Sequence, residues 1–286
     1  YKDLGKGKTL GLIFMNPSLR TRLSTQKAGI NLGMSVMVMN FSGEGWALET
    51  EDGTVMDGDR AEHIREAAAV VGQYCDVIGI RSFPGLKDRD LDYSENILNK
   101  FVELSGRPVV SLESATRHPL QSLADMATIE AFRQIGRPKV VMSWAPHPKA
   151  LPQSVPNSFT EWALKMDYDF MITHPEGYEL DPEFAGNARI EYDQDKAFEG
   201  ADFIYVKNWS SYSNYGQVLT RDLSWTVNQE KLKDTNNAKV LHCLPVRRNM
   251  VIADDVLDSG SSVVIEEASY REFAAQAVLK EILENN

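Results

Sequence analysis

Short apolar runs alternate with amphipathic stretches along the whole of this 286-residue chain. The runs at 9–15, 35–40, 76–81, 108–112, 139–143, 169–173, 202–207, 239–242 and 262–265 are of strand length and bounded by turn residues. Continuous apolar character over so few residues is the pattern of strands covered on both faces. The stretches 20–32, 61–73, 95–104, 120–135, 156–166 and 268–284 instead carry their apolar residues at helical spacing. Strands and helices in alternation predict an α/β fold of parallel sheets covered by helices. Arg133-Gln134-Ile135-Gly136-Arg137-Pro138 stops a helix with Gly and Pro just ahead of a strand. A domain boundary is therefore expected there: a first domain over 1–135 with four strands, a second over 136–265, and a final helical segment over 266–286. That last helix, with Phe273, Ala274, Ala277, Val278 and Ile282 on one side, is expected to pack back on the first domain. The segments 43–60 and 208–230 are rich in Gly, Ser, Asn and Trp and read as long functional loops.

Composition narrows the classes of function. The net charge of −11 argues against a nucleic-acid partner, which needs a basic surface. An anionic substrate would have to be gripped by a local basic pocket set against the field of the whole chain. No apolar stretch approaches the roughly 20 residues of a membrane span, so no membrane partner is expected. The two cysteines, Cys75 and Cys243, lack metal-site spacing, and Cys75 sits in an apolar run that suits simple packing. Few cysteines and no visible secretory leader point to the cytoplasm. The chain opens on Tyr1 and enters a strand within ten residues, so a preceding segment is expected. There is no Gly-rich dinucleotide or Walker-type loop and no Gly-flanked serine nucleophile. No cofactor and no metal are expected.

Candidate chemistry gathers at the ends of the predicted strands, where open α/β sheets hold their ligands. Ser18-Leu19-Arg20-Thr21-Arg22 follows the strand 9–15 through an Asn16-Pro17 turn and opens a helix. A Ser-capped helix start offers backbone N–H groups, the positive end of a dipole, two hydroxyls and a guanidinium, which is the chemistry of a phosphate socket. Taken alone, the five residues fit a capped surface helix equally well. Arg81 directly follows the strand 76–80 and reads either as a second phosphate clamp or as a loop arginine. Glu113 and the run Arg117-His118-Pro119-Leu120-Gln121 follow the strand 108–112. There an imidazole suited to polarising a carbonyl lies three residues from an amide suited to holding –NH2. Trp144-Ala145-Pro146-His147-Pro148-Lys149 fixes His147 between two prolines, in a site or in a rigid exposed loop. His242-Cys243-Leu244-Pro245-Val246-Arg247-Arg248-Asn249 follows the strand 239–242. A cis Leu244–Pro245 bond would aim the Cys243 and Leu244 carbonyls inward; the alternative is a plain turn with two solvated arginines.

The motifs at 18–22, 118–121 and 242–245, in that order at the ends of alternating strands, resemble the aspartate/ornithine carbamoyltransferase family, and the resemblance spans nearly the whole chain. Gly43-Glu44-Gly45-Trp46, the 144–149 segment and Lys207-Asn208-Trp209 are similar to the branch of that family acting on N-acylated ornithine. The loop with an Asp suited to a free α-amine, carried by the ordinary ornithine enzymes, is not found. Leu19 departs from the Thr or Met of other members, at a place where the backbone does the work.

The resemblance implies carbamoyl phosphate held by Ser18, the Leu19 N–H, Arg20, Thr21, Arg81, and Trp46 from a neighbouring subunit. His118-Pro119-Leu120-Gln121, Cys243, Leu244 and Arg271 would surround its carbamoyl group: the oxygen near Thr21, His118 and Arg271, the –NH2 on Gln121 and the Cys243 and Leu244 carbonyls. Glu113, His147, Lys207, Leu244, Arg247 and Ala61 would hold the acylated ornithine. The implied catalytic set is Arg20, Thr21, His118, Gln121, Cys243 and Arg271. A neutral δ-amine would attack the carbamoyl carbon and phosphate would leave as the proton acceptor, with no covalent enzyme intermediate. Acetyl-specific members carry a Glu shortly after Met-Asp-Gly-Asp, at the place of Ala61, and a Glu there would repel a succinyl carboxylate. Ala61 thus implies N-succinyl-L-ornithine as acceptor, in arginine biosynthesis, with N-acetyl-L-ornithine the alternative. A homotrimer with shared sites is implied as well. The competing classes are a non-catalytic anion-binding relative and a two-domain solute-binding protein.

Overall fold

The computed structural model describes residues 1–41 and 46–285; Gly43-Glu44-Gly45 of the motif named above lie outside the described residues. Contacts divide the chain into two units: Tyr1–Gly85 with Asp90–Leu120 and Arg271–Asn286, and Leu86–Arg89 with Gln121–Tyr270. Up to residue 113 the elements run β1 (Thr9–Phe14), α1 (Arg20–Asn31), β2 (Ser35–Asn40), β3 (Leu48–Glu49), β4 (Glu62–His63), α2 (Ile64–Tyr74), β5 (Val77–Arg81), α3 (Arg89–Tyr93), α4 (Asn96–Leu104) and β6 (Val109–Glu113). The four longer strands form a parallel sheet in the order β2-β1-β5-β6, and β3 pairs with β4 alone. The central strands β1 and β5 are almost wholly buried, as their unbroken apolar runs require. Gly72 of α2 is a close-approach position: a Cβ there would lie 1.9 Å from the Ser105 carbonyl oxygen.

The remaining elements are α5 (Pro119–Phe132), β7 (Lys139–Trp144), α6 (Ser154–Ala163), β8 (Asp169–Thr173), α7 (Pro182–Ala185), β9 (Arg189–Glu191), α8 (Gln194–Phe198), β10 (Phe203–Lys207), β11 (Lys239–Leu241), α9 (Asp254–Leu257) and α10 (Val264–Asn285). The sheet of the second unit is again parallel, in the order β11-β10-β7-β8-β9. One core cluster builds around Trp144, Phe159, Tyr178 and Trp209, another around Val141, Phe198, Ile204 and Val240. The 208–230 segment is long and irregular, as expected. It is ordered from within: Trp144 Nε1 donates to the Trp209 carbonyl, Trp209 Nε1 to the Tyr178 carbonyl, and the Tyr178 hydroxyl accepts from the Leu219 and Thr220 N–H groups.

Two local expectations change. The run 262–265 is not a strand: it makes a single bridge, Val240 to Ser262, and α10 begins at Val264. Glu266 and Glu267 in the first helical turn favour that start through the dipole, against the strand preference of Val263-Val264-Ile265. The packing face of α10 is Ala274, Ala275, Val278, Leu279, Ile282 and Leu283, of which all but Ala274 join the core cluster that holds Leu10, Leu12 and Val110, whereas Ala277 is exposed and Phe273 is 59% exposed. The contact division falls at the start of α5 and within α10, while the Gly136–Pro138 stop follows the end of α5.

Candidate active site

In the first unit, the parallel register sets Phe14 beside Arg81 and Arg81 beside Glu113, so three strands deliver their last residues to one edge. Arg81 donates to Glu113 Oε2 through Nε at 3.0 Å and Nη2 at 2.9 Å, and both side chains are buried. Its Nη1 reaches the Asn16 and Pro17 carbonyls at 3.3 Å each, which ties the strand-end arginine to the turn entering α1. The Phe83 ring lies 4.8 Å beneath the guanidinium. His118, also buried, has Nε2 at 3.7 Å from the same Glu113 oxygen.

Ser18 does not cap α1. The N-cap is Leu19, already in helical conformation, with no side-chain cap hydrogen bond. No N-cap side chain therefore closes the positive end of α1, and such helix ends suit anions. The Leu19 side chain is exposed. Thr21 is buried one position into the helix, and its Oγ1 accepts from Arg271 Nη2 at 2.8 Å. Arg22 lies over the Phe14 ring and donates to Asn40 Oδ1, so the second arginine of the motif serves the sheet.

The segment before α2 is exposed but braced. Trp46 Nε1 donates to Glu62 Oε2 at 2.9 Å, and Ala61 N–H to the Ala47 carbonyl at 2.9 Å. Asp52 takes Arg65 Nε at 2.8 Å and lies 3.3 Å from Lys100 Nζ; hydrogen bonds from these two cations hold its carboxyl down to about 2.

In the second unit, β7, β10 and β11 end side by side, with Lys207 in register with Trp144. His147 follows β7, and its Nε2 accepts from Arg247 Nε at 2.9 Å. A guanidinium offers only donors, so Nε2 carries the lone pair, while Nδ1 lies 2.8 Å from the Lys149 carbonyl and 3.1 Å from the Lys149 backbone nitrogen. Burial holds His147 below its ordinary pKa, helped by the nearby charges of Lys207, Arg247 and Lys149. Lys207 is only 9% exposed, yet its ammonium has no hydrogen-bond or ion-pair partner among the described residues. A buried cation without a counter-charge is costly, and an anionic ligand would offset that cost.

Gln121, in the first turn of α5, donates from Nε2 to Asp125 Oδ1 at 2.7 Å and to Glu267 Oε1 at 3.2 Å. Glu267 Oε2 accepts from the His242 N–H at 2.7 Å, and His242 Nδ1 from the Leu244 N–H at 2.8 Å. The Leu244–Pro245 bond is cis, with Leu244 at φ 53°. Cys243 is half-buried in this turn and forms no disulfide. Arg248 is exposed and pairs with Asp254 and Asp258, so of the two adjacent arginines only Arg247 meets His147.

The structure therefore joins Arg81, Glu113 and His118, joins Thr21 to Arg271, and joins His147 to Arg247. Glu113, expected to hold the acyl substrate, is engaged by Arg81 and His118. Pro119 opens α5 and Leu120 is buried in the core of the first unit. Asp125 and Glu267 were not anticipated. The available signals were helical spacing: Asp125 lies four residues after Gln121, and Glu267 four before Arg271. Among the described residues no helix is long and apolar enough to cross a membrane.

Comparison with known proteins finds relatives of this chain. Residues 1–131 match the family model described as the carbamoyl-P binding domain of aspartate/ornithine carbamoyltransferase, and residues 152–282 its Asp/Orn binding domain. N-succinylornithine carbamoyltransferase of Bacteroides thetaiotaomicron is 62% identical, over 99% of this chain and 90% of that protein. N-acetylornithine carbamoyltransferase of Xanthomonas campestris pv. campestris is 35% identical, over 96% of this chain and 87% of that protein. A similar solved structure is a glutamate-to-alanine mutant of N-acetyl-L-ornithine transcarbamylase complexed with carbamyl phosphate and N-succinyl-L-norvaline. Its TM-score is 0.91 at 35% identity, covering 98% of this chain and 90% of that one.

Proposed function

This chain belongs to the aspartate/ornithine carbamoyltransferase family, and from that premise we propose that it transfers the carbamoyl group of carbamoyl phosphate to the δ-amine of N-succinyl-L-ornithine. The products are N-succinyl-L-citrulline and phosphate, and the reaction serves arginine biosynthesis. The observation that carries the donor reading is the Arg81–Glu113–His118 group, tied to the turn before an uncapped helix start. A phosphate dianion suits that setting: it takes backbone N–H groups and the Ser18 and Thr21 hydroxyls, with Arg20 and Arg81 contributing further donors, and the Trp46 indole N–H, which meets Glu62 in the single chain, turning to the phosphate of a neighbouring subunit. The carbamoyl oxygen turns to Thr21, His118 and Arg271, donors suited to the oxyanion that forms as the amine attacks. The carbamoyl –NH2 donates to Gln121 and to the Cys243 and Leu244 carbonyls. Lys207 and Arg247 take the carboxylates of the acyl-ornithine, and neutral His147 orients the Arg247 guanidinium.

The amine must arrive unprotonated, since its lone pair forms the new C–N bond. As the C–O bond to phosphate breaks, the electron pair leaves with phosphate, which takes the proton released from nitrogen. Holding two substrates in line supplies much of the rate, and no side chain need act as nucleophile.

Two observations support the succinyl acceptor. Ala61 is small and uncharged, whereas the adjacent Glu62 is committed to the Trp46 indole. The succinylated ligand of the glutamate-to-alanine mutant of the acetyl enzyme fits the same logic. Trp46 and Ala61 are exposed in the single chain, which agrees with their serving a neighbouring subunit in a homotrimer, located in the cytoplasm.

A phosphate-release assay with carbamoyl phosphate and N-succinyl-, N-acetyl- and free L-ornithine tests the proposal. Fastest turnover is expected with the succinyl compound. Faster turnover of the acetyl compound reverses the acyl assignment, and no release with any acceptor leaves an anion-binding relative.

A further inference from the structure

Glu267 has no part in the transfer as described, yet it is fully buried and touches two groups that do. One carboxylate oxygen accepts from the Gln121 amide nitrogen at 3.2 Å; the other accepts from the His242 N–H at 2.7 Å, at the root of the Cys243-Leu244-Pro245 turn. We infer that Glu267 is a positioning residue for the carbamoyl nitrogen, setting the Gln121 carbonyl and the turn carbonyls as acceptors around one N–H2 group. The inference rests on the proposed role of Gln121, Cys243 and Leu244 as ligands of that nitrogen.

The argument is one of donor and acceptor polarity. An ionised carboxylate can only accept. The Gln121 amide faces two of them, Glu267 and Asp125, and its nitrogen donates to both. The flipped amide would set its carbonyl oxygen against both carboxylates, acceptor against acceptor. The amide is therefore locked with Oε1 directed away from the pair, and that atom is the one able to accept from a carbamoyl –NH2. The second Glu267 oxygen holds the turn at the same time. The His242 ring then accepts the Leu244 N–H, so the turn that carries the Cys243 and Leu244 carbonyls is fixed from both ends. One side chain thus couples the amide and the turn, and no shorter link between them is needed.

Glu267→Gln tests this with almost no change in volume. A glutamine offers one acceptor and one donor. If its oxygen keeps the His242 N–H, its –NH2 meets the Gln121 –NH2, donor against donor, and pushes that amide off the position that Asp125 alone then holds. The expected result is a fall in kcat/KM for carbamoyl phosphate of about 10- to 100-fold, the usual weight of a hydrogen bond to a buried charge. Inhibition by inorganic phosphate, which has no –NH2, should be unchanged within about twofold, a readout that a general loss of structure would not spare. Glu267→Asp, which keeps two acceptors, should retain more activity than Glu267→Gln. Gln121→Ala should fall as far as Glu267→Gln, and the double variant no further than the worse single one. Multiplicative losses, full activity in Glu267→Gln, or parallel loss of phosphate inhibition would overturn the inference. A Gln121→Ala enzyme as active as the wild type would overturn both this inference and the ligand assignment beneath it. A wild-type chain without transfer activity would remove the proposed function itself.

Discussion

Replacing Glu113 by Gln gives the sharpest energetic test of the donor site. The perturbation keeps the shape and removes one negative charge from beside two buried groups. At 2.9 Å and an effective dielectric of about 20, the Arg81–Glu113 attraction is about 6 kcal/mol before desolvation is subtracted. Removing one partner of such a buried pair costs about 3–5 kcal/mol, chiefly by stranding the other charge. Arg81 keeps its bonds to the Asn16 and Pro17 carbonyls, so the lower figure, about 3 kcal/mol, is expected. A bound phosphate changes the outcome, because its two negative charges replace the missing one. The assay is equilibrium unfolding in urea, followed by tryptophan fluorescence, with and without saturating inorganic phosphate. Without phosphate, Glu113→Gln should lose about 3 kcal/mol against the wild type. With phosphate, the gap should narrow by about 1 kcal/mol or more, since the anion binds the variant more tightly and stabilises it by mass action. The double variant Arg81→Met/Glu113→Gln should be more stable than Glu113→Gln alone. A gap that phosphate leaves untouched would refute the idea that Arg81 faces the anion. A cost below about 1 kcal/mol would refute the buried-pair argument.

Three further outcomes follow from the same structure. Lys207→Met should raise KM for the acyl-ornithine about 10-fold or more while leaving KM for carbamoyl phosphate unchanged; equal changes in both would remove Lys207 from the acceptor side. Ala61→Glu should shift the succinyl-to-acetyl ratio of kcat/KM towards acetyl by about 10-fold, and an unchanged ratio would place the discriminating residue elsewhere. Burial holds both His147 and His174 below their ordinary pKa, whereas the unfolded chain titrates them near about 6.5. The unfolded state then binds more protons on acidification, so stability is present above that pH and lost as pH falls towards the folded values. His174→Phe should flatten the fall in stability between pH 7 and pH 5, measured by thermal unfolding, and an unaltered slope would count against it.

Much of the architecture was legible because its strands are apolar on both faces. β1, β5, β7 and β10 stand out as runs that no surface helix would carry, and their ends point to Arg81, His147 and Lys207. β9 was invisible for the opposite reason: Arg189–Glu191 is an exposed edge with no apolar run to detect. The start of α10 misled because Val263, Val264 and Ile265 favour a strand locally, and packing with the following helix overrides that preference. Its stripe was misjudged as well, since Phe273 is large and apolar yet faces solvent. Asp125 and Glu267 were hidden because an acidic residue in a helix usually reads as a solvated face. Only their partners, Gln121 and the His242 N–H, distinguish them from the acidic residues on the surface.

The bracing of the Trp46–Ala61 segment by Asp52 carries an environmental consequence. The two cations hold the Asp52 carboxyl below its ordinary range, so acid loosens this tether less readily than it would an unpaired aspartate. Its partner Arg65 and Asp52 itself are both about half exposed, however, and dissolved ions screen such contacts over distances near 8 Å at ordinary cellular salt. Ionic strength, then, is the variable to which this part of the molecule answers.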